Sequence, residues 1–249
     1  MQSIRKPSRG IGQWYSSSSV SLLIGTLLLL VGCLAKQETE LKKSELSFRD
    51  QIQAVQNGSS REIESSQRIT DSAFDQLLGL EKLEVLSLQN AHLTDAIAET
   101  METLVSLQRL RLEKATLGDR TAEAIGRLDK LVTINLPDSE ISSAGIQRWK
   151  ELPELILLRI GGRNLGDPAL ATIGQMAQLR FLHLIHVPLS DAGIQYLYGM
   201  KRLESFYLDG SPVTDRGLSE LIEALPELHF HRDQQHIFND PMADDHRAS

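Results

Sequence analysis

The sequence predicts an α/β solenoid, a right-handed coil of stacked copies with a parallel sheet on its concave side and short helices on its convex side. Three observations predict it. A period of 24 residues runs through residues 80 to 224, and a hydroxyl residue or glycine followed by an aspartate recurs at the same step. Within each period, apolar residues first alternate at every second position and then recur at helical spacing. One copy cannot bury its own leucines, so only stacking of neighbours closes a core.

Taken in chain order, residues 1–32 carry Arg5, Lys6 and Arg9 with no acid, then a serine run, then an apolar stretch from Val20 to Val31. Such an arrangement is an export signal rather than part of a fold, and the stretch falls short of the roughly 20 residues a membrane-spanning helix needs. It ends in Leu30-Val31-Gly32-Cys33, which resembles a bacterial lipobox and uses the single cysteine of the chain. The resemblance implies cleavage before Cys33, lipidation of that residue and a lipid-anchored place in the bacterial cell envelope. Leu34 stands where aspartate would favour inner-membrane retention, so the outer membrane or cell surface is the expected address. One cysteine excludes an intrachain disulfide framework and any multi-cysteine zinc site.

Residues 33–58 read as a polar tether followed by a capping helix, because Phe48, Ile52 and Val55 recur at i, i+4 and i+7 before Asn57-Gly58. Residues 59–79 form a degenerate first copy that keeps Ile69-Thr70-Asp71. Six full copies follow over residues 80–224. Leu80, Leu104, Leu128, Leu152, Met176 and Met200 mark one column, and the columns starting at Leu83, Leu86, Leu88 and Leu93 are filled by apolar residues in every copy. The alternation of Leu86 and Leu88 with other side chains marks a strand with one buried face.

The second half of each copy starts at Asp71, Asp95, Asp119, Asp167, Asp191 or Asp215, with Ser143 in the odd place. Thr70, Thr94, Gly118, Ser142, Gly166, Ser190 and Thr214 precede them and are N-cap types. Apolar residues three and six positions on, such as Leu170 and Ile173, share one helical face. The aspartates are therefore expected in the first helical turn, held by the helix dipole and structural rather than catalytic, so that Asp191→Ala lowers stability modestly. The step lengthens at Leu225 and Leu228; residues 225–232 are expected to form a C-terminal cap and 233–249 a disordered acidic tail.

The unit LxxLxxLxLxxxxL(T/S)D, with fragments such as Leu189-Ser190-Asp191-Ala192-Gly193-Ile194 and Val213-Thr214-Asp215-Arg216-Gly217-Leu218, resembles the leucine-rich repeat of the I/L-T-D-x-G-L subclass. Where that family often has an asparagine or cysteine ladder, this chain has Ala91, Ala115, Ser139, Arg163, Val187 and Ser211. The turns after the strands must satisfy their backbone by other means, and Arg163 marks copy four as irregular.

Charge narrows the function. There are 26 basic and 33 acidic side chains, a net charge of −7, and removal of a leader holding three basic and no acidic residues makes it −10. Nucleic acid is disfavoured as a partner. No phosphate loop or nucleophile signature is present, so the chain reads as no enzyme and needs no cofactor. In a solenoid the strand residues between the core columns face outward on the concave side. Among them Leu157, Arg159, Phe181, His183, Ile185 and Tyr207 fall on neighbouring strands, with Arg109 and Arg111 as a basic rim. Aromatic and arginine side chains dominate protein interfaces, so these eight residues are the expected contact surface for a protein partner.

The function expected is a membrane-anchored protein–protein interaction scaffold. An alternative is a structural or regulatory subunit of an envelope complex. A remote one is weak metal binding by His229, His231 and His236 near Asp233, Asp240, Asp244 and Asp245.

Overall fold

The computed structural model describes residues 47–233 and the backbone of residues 235–236. The expected export signal, the expected lipidation site Cys33 and most of the expected tether and acidic tail lie outside the described residues. Helix α1 (Phe48–Gln56) begins at Ser47, whose hydroxyl accepts from the Asp50 amide at 3.2 Å. Its apolar stripe, Phe48, Ile52 and Val55, is buried in the common core. Gln51 is buried too and grips the first strand by its backbone, donating to the Glu64 carbonyl and accepting from the Glu64 amide, each at 2.8 Å. An otherwise open sheet edge is thereby partly covered.

Eight strands run parallel in one sheet, in the order β1 (Glu62–Ser65), β3 (Val85–Leu88), β5 (Arg109–Leu112), β6 (Thr133–Leu136), β7 (Leu157–Gly161), β8 (Phe181–Ile185), β9 (Ser205–Asp209) and β10 (His229–Arg232). Two-residue strands β2 (Ile69–Thr70) and β4 (Ala91–His92) pair separately. The register turns the sequence period into space: Ile63, Leu86, Leu110, Ile134, Leu158, Leu182, Phe206 and Phe230 stand side by side across the sheet. All eight are at most 1% exposed. The tail expected to be disordered from residue 233 instead supplies β11 (Gln235–His236), which pairs antiparallel with β10 and continues the sheet at its last edge.

The turns find backbone partners in the following copy. The amides of Ile69, Ala91, Gly162 and His186 donate to the carbonyls of Asn90, Glu113, Ile185 and Asp209, which replaces the missing side-chain ladder. Ala91, Ala115, Ser139 and Val187 are buried there, whereas Arg163 is exposed next to Gly162 at φ 148°. At Gly161 a Cβ would lie 2.0 Å from the Pro137 carbonyl oxygen, so copy four packs its backbone directly on copy three.

On the other side lie short helical segments: α2 (Asp71–Phe74), α3 (Ala98–Glu102), α4 (Asp119–Ile125), α5 (Asp167–Ile173), α6 (Asp191–Ile194) and α7 (Asp215–Ala224), interspersed with 3₁₀ turns. The copy with Ser143 in place of aspartate has only a 3₁₀ segment, Gln147–Glu151, whose Trp149 is fully buried and donates its indole N–H to the Ala122 carbonyl at 2.9 Å.

The aspartates do sit at helix starts, but their hydrogen bonds correct the expectation that their own helix holds them. All but Asp215 reach the next copy. Asp71, Asp119, Asp167 and Asp191 accept from the backbone amides of Thr94, Ser142, Ser190 and Thr214 at 2.7 or 2.8 Å, and from the same residues' hydroxyls. The glycine two residues after the next copy's aspartate makes room: a Cβ on Gly193 or Gly217 would lie 2.1 or 2.5 Å from the preceding copy's carboxylate. The T-D-x-G-L element is thus a device that locks one copy to the next.

Candidate functional site

The concave face of β6 to β10 is where side chains gather. In register stand Asn135, Arg159, His183, Tyr207 and His231, one residue per strand. The row before them holds Thr133, Leu157, Phe181, Ser205 and His229, and the row after them Gly161, Ile185 and Asp209. Outward alternation on a pleated strand places all three rows on the face opposite the core.

Arg159 is half-buried and held from both sides. Its Nε donates to His183 Nδ1 at 3.2 Å and its Nη1 to Asn135 Oδ1 at 3.0 Å. With Nδ1 accepting, the proton on the His183 ring lies at Nε2, which donates to Asp209 Oδ2 at 2.8 Å. The other Asp209 oxygen is buried without a hydrogen-bond partner. Tyr207 is stacked on His231 with ring centroids 4.5 Å apart and planes 8° from parallel, and leans on His183 at 5.5 Å. His229 and His231 bring their Nε2 atoms within 2.6 Å. Phe181 lies under the Arg180 guanidinium, 5.4 Å from ring centroid to Cζ, and Arg180 is itself paired to Glu204.

Six of the eight expected contact residues, Leu157, Arg159, Phe181, His183, Ile185 and Tyr207, are therefore brought together on three adjacent strands, and all six are half-buried. Arg109 and Arg111 are not brought to them. Both lie on β5, two strands from β7, and each is bound to an acid: Arg109 to Glu62 at 3.7 Å and Arg111 to Glu113. Of the outward columns, Val85 and Gly161 are buried. The structure adds Asn135, Asp209, His229 and His231 to the cluster. The last two were legible by extending the 24-residue step from Ser205 and Tyr207; the hydrogen bonds of Asn135 and Asp209 were not.

His231 and His236 are partners in the β10–β11 register, while the His236 side chain and Asp240, Asp244 and Asp245 lie outside the described residues. Among the described residues no group of three His, Cys, Asp or Glu is placed to hold a metal ion. Beside the patch, past the strand ends, a cavity of about 470 Å³ is lined by Pro137, Asp138, Ser139, Glu140, Gly162, Arg163, Asn164, Ile185 and His186.

No family model matches the chain, and no curated protein matches it by sequence. Among solved structures it is similar to an internalin C2 of Listeria monocytogenes, at 21% identity and a TM-score of 0.51, over 68% of this chain and 67% of that one. The parallel sheet, the constant register and this likeness decide the fold. The fold is that of a leucine-rich-repeat protein. A leucine-rich-repeat protein of Leptospira interrogans is also similar, at 16% identity and a TM-score of 0.43, with 68% of this chain covering 52% of that one. In the repeat fold the strand side chains described above belong to the concave surface, and the aspartate locks lie behind it.

Proposed function

We propose that this leucine-rich-repeat chain is a non-enzymatic scaffold, anchored to the bacterial cell envelope by lipid on Cys33, that binds a protein partner on the concave face of β7 to β9. The observation that carries the reading is the packed cluster of Leu157, Arg159, Phe181, His183, Ile185 and Tyr207, half-buried side chains of interface type on neighbouring strands. A binding role is favoured over catalysis by the state of His183, whose two ring nitrogens are engaged by Arg159 and Asp209. Among the described residues no helix is long and apolar enough to cross a membrane.

The test is a photoreactive amino acid at position 181 or 207 in intact cells, followed by mass spectrometry of the crosslinked product. One protein captured at both positions, and not from a control position on the convex side such as Glu123, is expected. Phe181→Ala with Tyr207→Ala then weakens that partner by more than about 2 kcal/mol while the thermal midpoint falls only slightly. Equal crosslinking from the convex control overturns the placement.

A further inference from the structure

Among the described residues the concave face carries three arginines, and their surroundings differ. Arg109 and Arg111 are exposed and each faces an acid, Glu62 and Glu113. Arg159 faces none among the described residues: its two hydrogen bonds go to an imidazole nitrogen and an amide oxygen, both neutral acceptors. Its remaining terminal nitrogen, Nη2, has no hydrogen bond there, yet is not among the buried polar atoms left without a partner. A half-buried guanidinium has lost part of its hydration and gains most from an anion that restores it. Asn135 and His183 already fix its plane, so little side-chain entropy remains to be lost on binding.

The neighbours say what kind of anion fits. Leu157 precedes Arg159 by two residues on the same face of β7, and Phe181 is the register partner of Leu157 on β8, so an apolar pair lies directly beside the cation. On its other side Gly161 is buried and packs its backbone against the Pro137 and Ile185 carbonyls, so no side chain rises there to cover the guanidinium. One cation bonded directly to no acid among the described residues, with Asp209 reached only through His183, matches one carboxylate. A phosphate or a polyanion would need several, and the other two concave arginines are already neutralised.

We infer that Arg159 is the anchor for a single carboxylate of the partner, borne by a peptide segment in which an aspartate, a glutamate or the chain's own C-terminus stands next to an aromatic or aliphatic residue. The carboxylate meets Nη2 of Arg159, and the apolar side chain lies on Leu157 and Phe181. This rests on the concave face being the binding surface.

The test pans a random 12-residue peptide library against the full chain in mild detergent, and measures synthetic copies of the enriched peptides by fluorescence polarisation. Enrichment of an acid adjacent to Phe, Tyr, Leu or Ile is expected. Replacing that acid by its amide, or introducing Arg159→Met, should each weaken binding tenfold or more, with no further loss when both are combined. Arg159→Lys retains part of the affinity, and higher salt weakens the wild-type complex more than the Met variant. Thermal melts of both variants establish that they fold. Enriched peptides without an acid, no enrichment at all, or an affinity unchanged by Arg159→Met overturn the inference. If Phe181→Ala with Tyr207→Ala abolishes binding of peptides that ignore Arg159→Met, the concave site stands and only the carboxylate anchor falls. If neither variant matters, both readings fall.

Discussion

Within the locking column, Asp95 reaches the next copy through backbone amides rather than a hydroxyl. Its carboxylate accepts from the backbone amides of Gly118, Thr121 and Arg120 at 2.9, 3.0 and 3.2 Å. Burial is the largest single influence on its proton affinity and raises it, but the hydrogen bonds of Thr121, Gly118 and Arg120 together outweigh burial and hold the carboxyl below its ordinary value of 3.8. The sign follows directly. The folded state binds the proton less tightly than the unfolded one, so the stabilisation is fully present above pH 3.8 and is lost as the pH falls through the folded value. Asp95→Asn is expected to cost about 1 kcal/mol at neutral pH, allowing for partial exposure to solvent, and the deficit should shrink in urea melts taken below pH 3.8. Asp191 is likewise held low, first by the Thr214 hydroxyl and then by the Thr214 amide; Asp191→Ala should lower the thermal midpoint at pH 7, with Thr214→Val adding only the loss of its cap to the Gly217 amide.

At the scale of the element, the lock fails at one junction. Ser143 has no carboxylate to offer and Gly166, its counterpart 23 residues on, has no hydroxyl to donate, so donor and acceptor are missing together. Gly166 has extended backbone at φ −177°, and a Cβ there would meet nothing closer than 3.7 Å, so a side chain fits without strain. Ser143→Asp combined with Gly166→Ser should build the missing rung and raise stability by about 0.5–1 kcal/mol, measured by calorimetry, with each single change giving clearly less. At the far end Asp215 has no following copy, and Arg232 of β10 closes it with a hydrogen bond of 2.6 Å. How such elements read from the sequence differed by kind. Strand positions were legible because a period of two inside a period of 24 leaves one geometry that buries every leucine. The aspartate's role was misassigned to its own helix because both explanations place an acid after an N-cap residue, and only the distances between copies separate them.

For the molecule as a whole, stability spreads through nearest-neighbour contacts from α1 to β11, so the concave face is a surface the scaffold holds still rather than a site it must assemble. That rigidity suits capture of a partner segment at low ordering cost. If the chain is anchored as proposed, Cys33→Ala should lose labelling by radioactive palmitate and move from the detergent to the aqueous phase on Triton X-114 partitioning, while crosslinking through position 181 to a soluble partner persists. Retention of label and detergent partitioning in that variant would refute the anchor without touching the fold.

The sequence by itself determined the repeat architecture, its 24-residue step and the columns that make the core, since burying aliphatic side chains in a stack has few solutions once their spacing is constant. It also indicated which side chains leave the core on the strand face. Only the tertiary structure decided which of those meet: that Arg109 and Arg111 are paired with acids on the concave side, that Arg159 is clamped between Asn135 and His183 with no acid bonded to it among the described residues, and that every aspartate of the column but Asp215 serves the copy after its own. The physical reason is that packing depends on residue class and period, whereas pairing of polar groups depends on distances of a few ångströms between residues 23 to 26 apart in the chain, and a sequence carries no direct record of those.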